Sequence, residues 1–234
     1  MVGARPTLLA RLRAAATDRE SLRSWTVIAN DGIIATAGIL EGFAGAGATN
    51  RTLLTAATVA TVAGMVGVGG AEWVEASTER DAHLEAGEAA ARELALRPHE
   101  KLAELVTYYE EKGLTPALAR DVAEALMAHD PVDAQLESEH GILEVTTRAA
   151  TIRAGIGAAI AYGLGAAVPL LITLATPARL ETRVIFTAVI VSLAFTSVLG
   201  AYTGQTDLRR TLARNLVIGV ATMAVSYLVG RVVF

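Results

Sequence analysis

Carboxylates and one thioether embedded in apolar sequence are the side chains that could do chemistry in this chain. Asp31 interrupts the stretch WTVIANDGIIATAGILEGFAGAGA at 25–48, Glu41 lies further along it, Met65 sits inside the stretch at 52–74, and Glu72 closes that stretch. An acidic side chain in a membrane-crossing helix costs about 2.5–3.5 kcal/mol on insertion scales, so it is kept for an ion path, a proton relay or a pair. A carboxylate oxygen binds a cation and can exchange it for a proton. A thioether is a soft donor that favours transition metals over Mg²⁺ or Ca²⁺. At 1.5 Å per residue Asp31 lies about 9 Å inside its stretch and Met65 about two turns inside from Glu72, which permits a shared depth. Asn30 beside Asp31 offers a capping or structural partner instead, and Met65 could equally be packing. Glu72, at an interface, can be solvated. Glu41 is either an exit-side residue or one near the far surface.

A second set of ligand-type side chains is concentrated at 75–150. This block holds 17 of the 24 acidic residues, seven of the 20 basic ones and all four histidines, a formal charge of −10. At 100° per residue Glu72, Glu75, Glu79 and His83 share one helical stripe, and Asp81, Glu85 and Glu88 another. Carboxylates and imidazoles are what hard and borderline divalent cations need, and crowded like charges stay ionised more easily with a cation among them. The alternative is a solvated face that keeps the block soluble. Neither an EF-hand loop nor a His-Glu-x-x-His motif occurs, and spacing alone does not select individual ligands. Zero cysteines removes disulfides, thiolate metal sites and cysteine nucleophiles. No nucleophile–base constellation or cofactor loop points to an enzyme, and the insert reads as lacking the Glu-x-x-His spacing that a ferroxidase centre needs in a pair, Glu79 and His83 being four apart.

The elements that must position these groups read as membrane helices. The 234 residues are 53% hydrophobic and 19% charged, with a mean hydropathy of +0.44, which does not suit an ordinary soluble domain. The net charge of −4 also lacks the basic stripe a nucleic-acid binder needs. Five windows are long and apolar enough to cross a bilayer: 25–48, 52–74, 152–175, 183–204 and 212–233. Gly38 with Gly42 and Gly200 with Gly204 permit close helix contact, and Pro169 is expected to kink the third span. Asp31 and Glu41 argue against a cleaved signal peptide. Arginines before span one and between spans four and five place the N-terminus and 75–150 in the cytoplasm and the C-terminus outside. Within 75–150, a helix continues out of span two from Glu72 to Leu96, a second runs Pro98 to Lys112, and a third starts with Thr115 as N-cap and Pro116 at N1 and ends near His129. Leu102, Leu105, Val106 and Tyr109 make the apolar face of the second; Leu118, Val122, Ala125 and Leu126 are expected to pack the third. A short segment, Val132 to Glu139, leads back to the membrane.

Several motifs together resemble the vacuolar iron transporter family: Asn30-Asp31-Gly32-Ile33 in span one, Ala71-Glu72-Trp73-Val74 leading to Glu79-Arg80-Asp81, Ala125-Leu126-Met127-Ala128-His129-Asp130 in the insert, and Ser226-Tyr227-Leu228-Val229-Gly230 in the last span. The resemblance covers nearly the whole chain after residue 20. It implies a homodimer with the ion path near the dimer axis, built from the first two helices, and export of divalent iron coupled to proton entry. It implies that Asp31 is the pore aspartate, Glu20 the acidic residue just before span one, and Glu72 the glutamate ending span two. The family often has a methionine four residues before that glutamate; here Val68 stands there and Met65 one turn away. Within the insert the resemblance implies metal-gathering glutamates, for which Glu85, Glu88, Glu93, Glu100, Glu104, Glu137 and Glu139 are candidates as a group.

The expected protein is thus an all-α integral membrane protein of five transmembrane helices, with a cytoplasmic helical metal-binding insert between helices two and three. Its segments are 1–24 (cytoplasmic), 25–74 (helices one and two), 75–150 (insert) and 151–234 (helices three to five). The expected activity is proton-coupled export of divalent transition metal, Fe²⁺ preferred and Mn²⁺ possible, along a path of Glu20, Asn30, Asp31, Met65 and Glu72. Fe²⁺, Mn²⁺, Zn²⁺ or Co²⁺ is cargo, and no cofactor is bound permanently. The partners are metal ion, protons, lipid and a second copy, with no nucleic acid. The alternative is a membrane-anchored metal sensor or scaffold that binds metal through the insert without moving it. Abundant alanine, with two lysines among the 20 basic residues, suggests a GC-rich bacterial source, hence the plasma membrane.

Overall fold

The computed structural model describes residues 19–176, 181–204 and 207–233; for 19–21, 181–183, 185, 199, 203 and 204 it gives the helical backbone alone. Residues 1–18 of the expected N-terminal segment lie outside the described residues. All regular elements described are helices: α1 (Arg19–Gly45), α2 (Asn50–Leu96), α3 (Pro98–Glu111), α4 (Pro116–His129), α5 (Pro131–His140), α6 (Arg148–Ala175), α7 (Glu181–Gly204) and α8 (Leu208–Val233).

Local chemistry sets the boundaries. After α1 the chain turns at Gly47, whose φ of +72° an L side chain would resist. Thr49 Oγ1 then accepts from the Thr52 backbone N–H at 3.3 Å and caps α2. Proline at N1 opens α3, α4 and α5, where its missing N–H costs nothing. Asp130 Oδ1 caps α5 by accepting from the Asp133 N–H at 3.1 Å. That helix ends at Gly141, φ +67°, with the Ile142 N–H donating to the Leu136 carbonyl as a left-handed C-terminal turn requires.

The chain divides into two compact units: Met1–Glu72 with Ala154–Phe234, and Trp73–Arg153. The 47 residues of α2 would extend about 70 Å at 1.5 Å per residue, more than twice a bilayer core. Its first part belongs to one unit and its last part to the other.

In the first unit α1 packs on α7 and α8, which pack on each other. Ile33, Ala37, Val189, Leu193 and Met223 form one buried core, and Leu40, Leu53 and Ala57 another between α1 and α2. Helices approach closely where side chains vanish. A Cβ at Gly165 of α6 would strike the Ala29 carbonyl of α1, one at Gly32 the Tyr162 carbonyl, and one at Gly230 of α8 the Gly42 carbonyl. Small residues at such crossings let backbones meet where lipid offers no hydrophobic drive. Gly38 and Gly42 make a close helix contact, and the structure shows the partner to be α8, with Gly38 against Thr222 and Ser226. α6 runs unbroken through Pro169, and Thr173 Oγ1 donates to the Pro169 carbonyl at 2.9 Å.

Among the described residues four helices are long and apolar enough to cross a membrane: Leu22–Gly45, Asn50–Leu96, Arg148–Ala175 and Leu208–Val233. The expected fourth span falls on α7, whose apolar run Phe186–Tyr202 is shorter. Val62, Val66, Ile156, Leu164 and Leu171 all point outward, an arrangement that suits lipid and not water.

The second unit packs α3, α4 and α5 around Leu105, Ala123 and Ala134, joined by Leu102, Val106, Tyr109, Leu126 and Met127. The α3 face is the expected one. On α4 the expectation needs correction: Leu126 packs, but Leu118 is 51% exposed and Ala125 is exposed too, while Ala119 and Ala123 are fully buried. Two alanines let α4 lie closer to its neighbours than leucine would, so the buried stripe is rotated by one residue. The segment leading back toward the membrane is itself the ten-residue helix α5.

Candidate functional site

Two places gather ionisable side chains, one in each unit. In the first, α6 brings α1 and α2 to a common level. The Tyr162 carbonyl lies against Gly32, the Tyr162 ring against Gly64, and the Met65 thioether against Gly163. Asp31 and Met65 therefore stand at the same turn of α6. Asp31 is exposed on the single chain and makes no hydrogen bond or ion pair among the described residues. Glu72 and Val68 are half-buried on α2.

Asn30 does not join Asp31. It is buried, and its Oδ1 accepts from Thr196 Oγ1 of α7, because successive helical residues point about 100° apart. Nearby Asn215 Nδ2 of α8 donates to Ser197 Oγ at 2.8 Å, and the hydroxyls of Thr36 and Thr61 meet at 3.3 Å between α1 and α2. Side-chain hydrogen bonds thus tie the helices at several levels. Glu41 takes another direction: 3% exposed, it lines a cavity of about 180 Å³ with Phe186, Met223 and Tyr227. Glu20 falls in the first turn of α1, its side chain outside the described residues.

In the second unit three of the seven candidate glutamates converge on one ammonium. Lys101 Nζ of α3 lies 2.7 Å from Glu93 of α2, 3.0 Å from Glu104 of α3 and 2.8 Å from Glu139 of α5. These carboxylates raise the Lys101 pKa, Glu139 most, and Lys101 in turn holds Glu93 below the usual carboxylate range. Glu88 pairs with Arg92 at 3.7 Å and Glu100 with Arg97 at 3.4 Å, both well exposed and so of small energetic weight. Glu85 and Glu137 form no ion pair among the described residues. No group of three or more carboxylates and histidines there stands at metal-holding distance. The reading that the insert lacks a Glu-x-x-His spacing needs correction, since Glu137 and His140 on α5 provide one, whereas a di-iron centre needs two.

Sequence reasoning missed Tyr162, Thr196, Lys101 and Gln135. Lys101 had a readable signal: it lies four residues before Leu105, on the apolar face of α3, where a lysine needs a partner. Tyr162 and Thr196 had none, since a lone phenol or hydroxyl in an apolar span points nowhere until its neighbours are known.

Outward-facing apolar helices and crossings made at glycine define a polytopic membrane protein, with a carboxylate level with a thioether in its helices. The chain belongs to the VIT family, whose sequence profile matches residues 22–231. It is 29% identical over 210 residues, 89% of this chain and 77% of the relative, to a protein of Acanthamoeba castellanii named "Vacuolar iron transporter".

Proposed function

We propose that this protein exports divalent transition metal from the cytoplasm in exchange for protons, iron preferred and manganese accepted. The observation that carries the reading is Asp31: a carboxylate on a membrane-crossing helix, exposed on the single chain, unpaired among the described residues and level with Met65. Facing lipid, such a group would be costly, so a second copy covers it and the path runs at the dimer interface. Asp31 takes the metal from the cytoplasmic side, Met65 adds a soft donor, and protonation of Asp31 after release resets the carrier. Glu72 and Glu20 stand at the cytoplasmic entry. The residue 75–150 insert, at formal charge −10, is cytoplasmic and raises the local cation concentration there. Five crossings, with α7 as the fourth, put the C-terminus outside the plasma membrane of a bacterial cell. The family match and the relative's name support metal transport over an enzymatic role.

Flux of Fe²⁺ and Mn²⁺ into proteoliposomes, with and without an imposed proton gradient, tests this. Gradient-driven flux that Asp31→Asn abolishes is the expected result. Full pH-dependent flux in Asp31→Asn would overturn the mechanism. No flux from correctly folded and oriented protein would favour a membrane-anchored metal sensor or scaffold.

A further inference from the structure

Three carboxylates lie within 3.0 Å of Lys101 Nζ, which donates hydrogen bonds to Glu104 and Glu139 and forms an ion pair with Glu93. The Lys101 side chain is 8% exposed, while Glu93, Glu104 and Glu139 keep 42%, 55% and 32%. The cation is therefore the enclosed partner and the carboxylates form its wall. Gln135, 1% exposed, donates Nε2 to the Lys101 backbone carbonyl at 3.2 Å, and its Oε1 is buried without a hydrogen-bond partner.

We propose that Lys101 occupies the position a divalent cation would otherwise take, so that it withholds Glu93, Glu104 and Glu139 from metal and joins α2, α3 and α5 without one. Three carboxylates drawn to one point need a positive charge among them, and the chain supplies it covalently tethered. The ammonium also sets their spacing. N···O separations of 2.7–3.0 Å hold the oxygens further apart than the roughly 2.0–2.2 Å bonds of zinc or magnesium would. An entering metal ion must expel an ammonium that then loses three carboxylate partners at once. With the ammonium gone, the three carboxylates form an all-oxygen donor set of the kind Mn²⁺ accepts. The inference holds whether or not the chain moves metal. Within the transport reading it leaves Glu85, Glu88, Glu100 and Glu137 as the glutamates open to cargo.

The test is Mn²⁺ binding to the full-length protein in detergent, read as loss of the free Mn²⁺ EPR signal, for wild type, E139Q, K101M and K101M/E139Q. Wild type and E139Q are expected to bind the same number of ions per chain. K101M is expected to bind one more, and the double variant to lose that extra site. Loss of an ion in E139Q, or no gain in a folded K101M, would overturn the proposal. Should K101M fail to fold, wild type and E139Q still decide: equal stoichiometry, with melting temperatures unaffected by EDTA, supports it, and an EDTA-induced fall that E139Q abolishes refutes it. Failure of the flux experiment would change none of these readings.

Discussion

Lys101 and Glu139, 38 residues apart in sequence, meet at 2.8 Å and so join α3 to α5. Glu139→Gln removes a charge-assisted bond to an enclosed ammonium and should lower stability by about 1 kcal/mol, with partial exposure of the carboxylate keeping the loss modest. Glu85→Gln, in no ion pair among the described residues, should stay within about 0.5 kcal/mol of wild type. Denaturant unfolding of the full chain, followed by circular dichroism, compares them; equal losses would remove the distinction.

The same cluster gives stability a defined pH dependence. Glu93 has a folded pKa below the ordinary 4.5, so its contribution is present above that value and lost as pH falls through the lowered one. Lys101 has a folded pKa above the ordinary 10.5, so its contribution is complete below 10.5 and lost only as pH rises beyond it. From these groups stability should be level between about pH 6 and 9 and fall below about pH 4.5. Unfolding midpoints across that range check this, and Glu93→Gln should shallow the acid limb.

Gly165 and Gly67 predict opposite responses to one methyl group. Gly165→Ala drives a Cβ into the Ala29 carbonyl, whereas Gly67 has open space. The first should cost about 1–3 kcal/mol or break the α1–α6 crossing. The second should be neutral or slightly stabilising, since alanine is the better helix former by about 1 kcal/mol. Size-exclusion profiles and melting temperatures in detergent would show the contrast, and a well-behaved Gly165→Ala would contradict the close crossing.

Met65 offers sulfur at the level of Asp31. In the transport reading Met65→Leu keeps volume and removes the soft donor, so iron flux should fall several-fold more than manganese flux. Equal loss of both would reduce Met65 to packing.

Much of this architecture was legible along the chain, because membrane helices and their ends depend on local facts. A lipid environment demands long apolar runs, and the windows found at 25–48, 52–74, 152–175 and 212–233 coincide with α1, the first part of α2, α6 and α8. Pro98, Pro116 and Gly113 start or stop helices by their own backbone chemistry. Asp31 stood out because any carboxylate in such a run demands a reason.

What depended on residues distant in sequence was invisible. Whether α4 buries Leu118 or Ala119 turns on how closely α3 and α5 approach, since both residues fit a helical stripe. Asn30 looked like a companion of Asp31, yet its partner Thr196 lies 166 positions away. Glu93, Glu104 and Glu139 read as a loose acidic group in a segment of formal charge −10. Only the packing of α2, α3 and α5 brought them onto Lys101, because periodicity orders side chains around one helix while the meeting of separate helices is decided by how their surfaces fit.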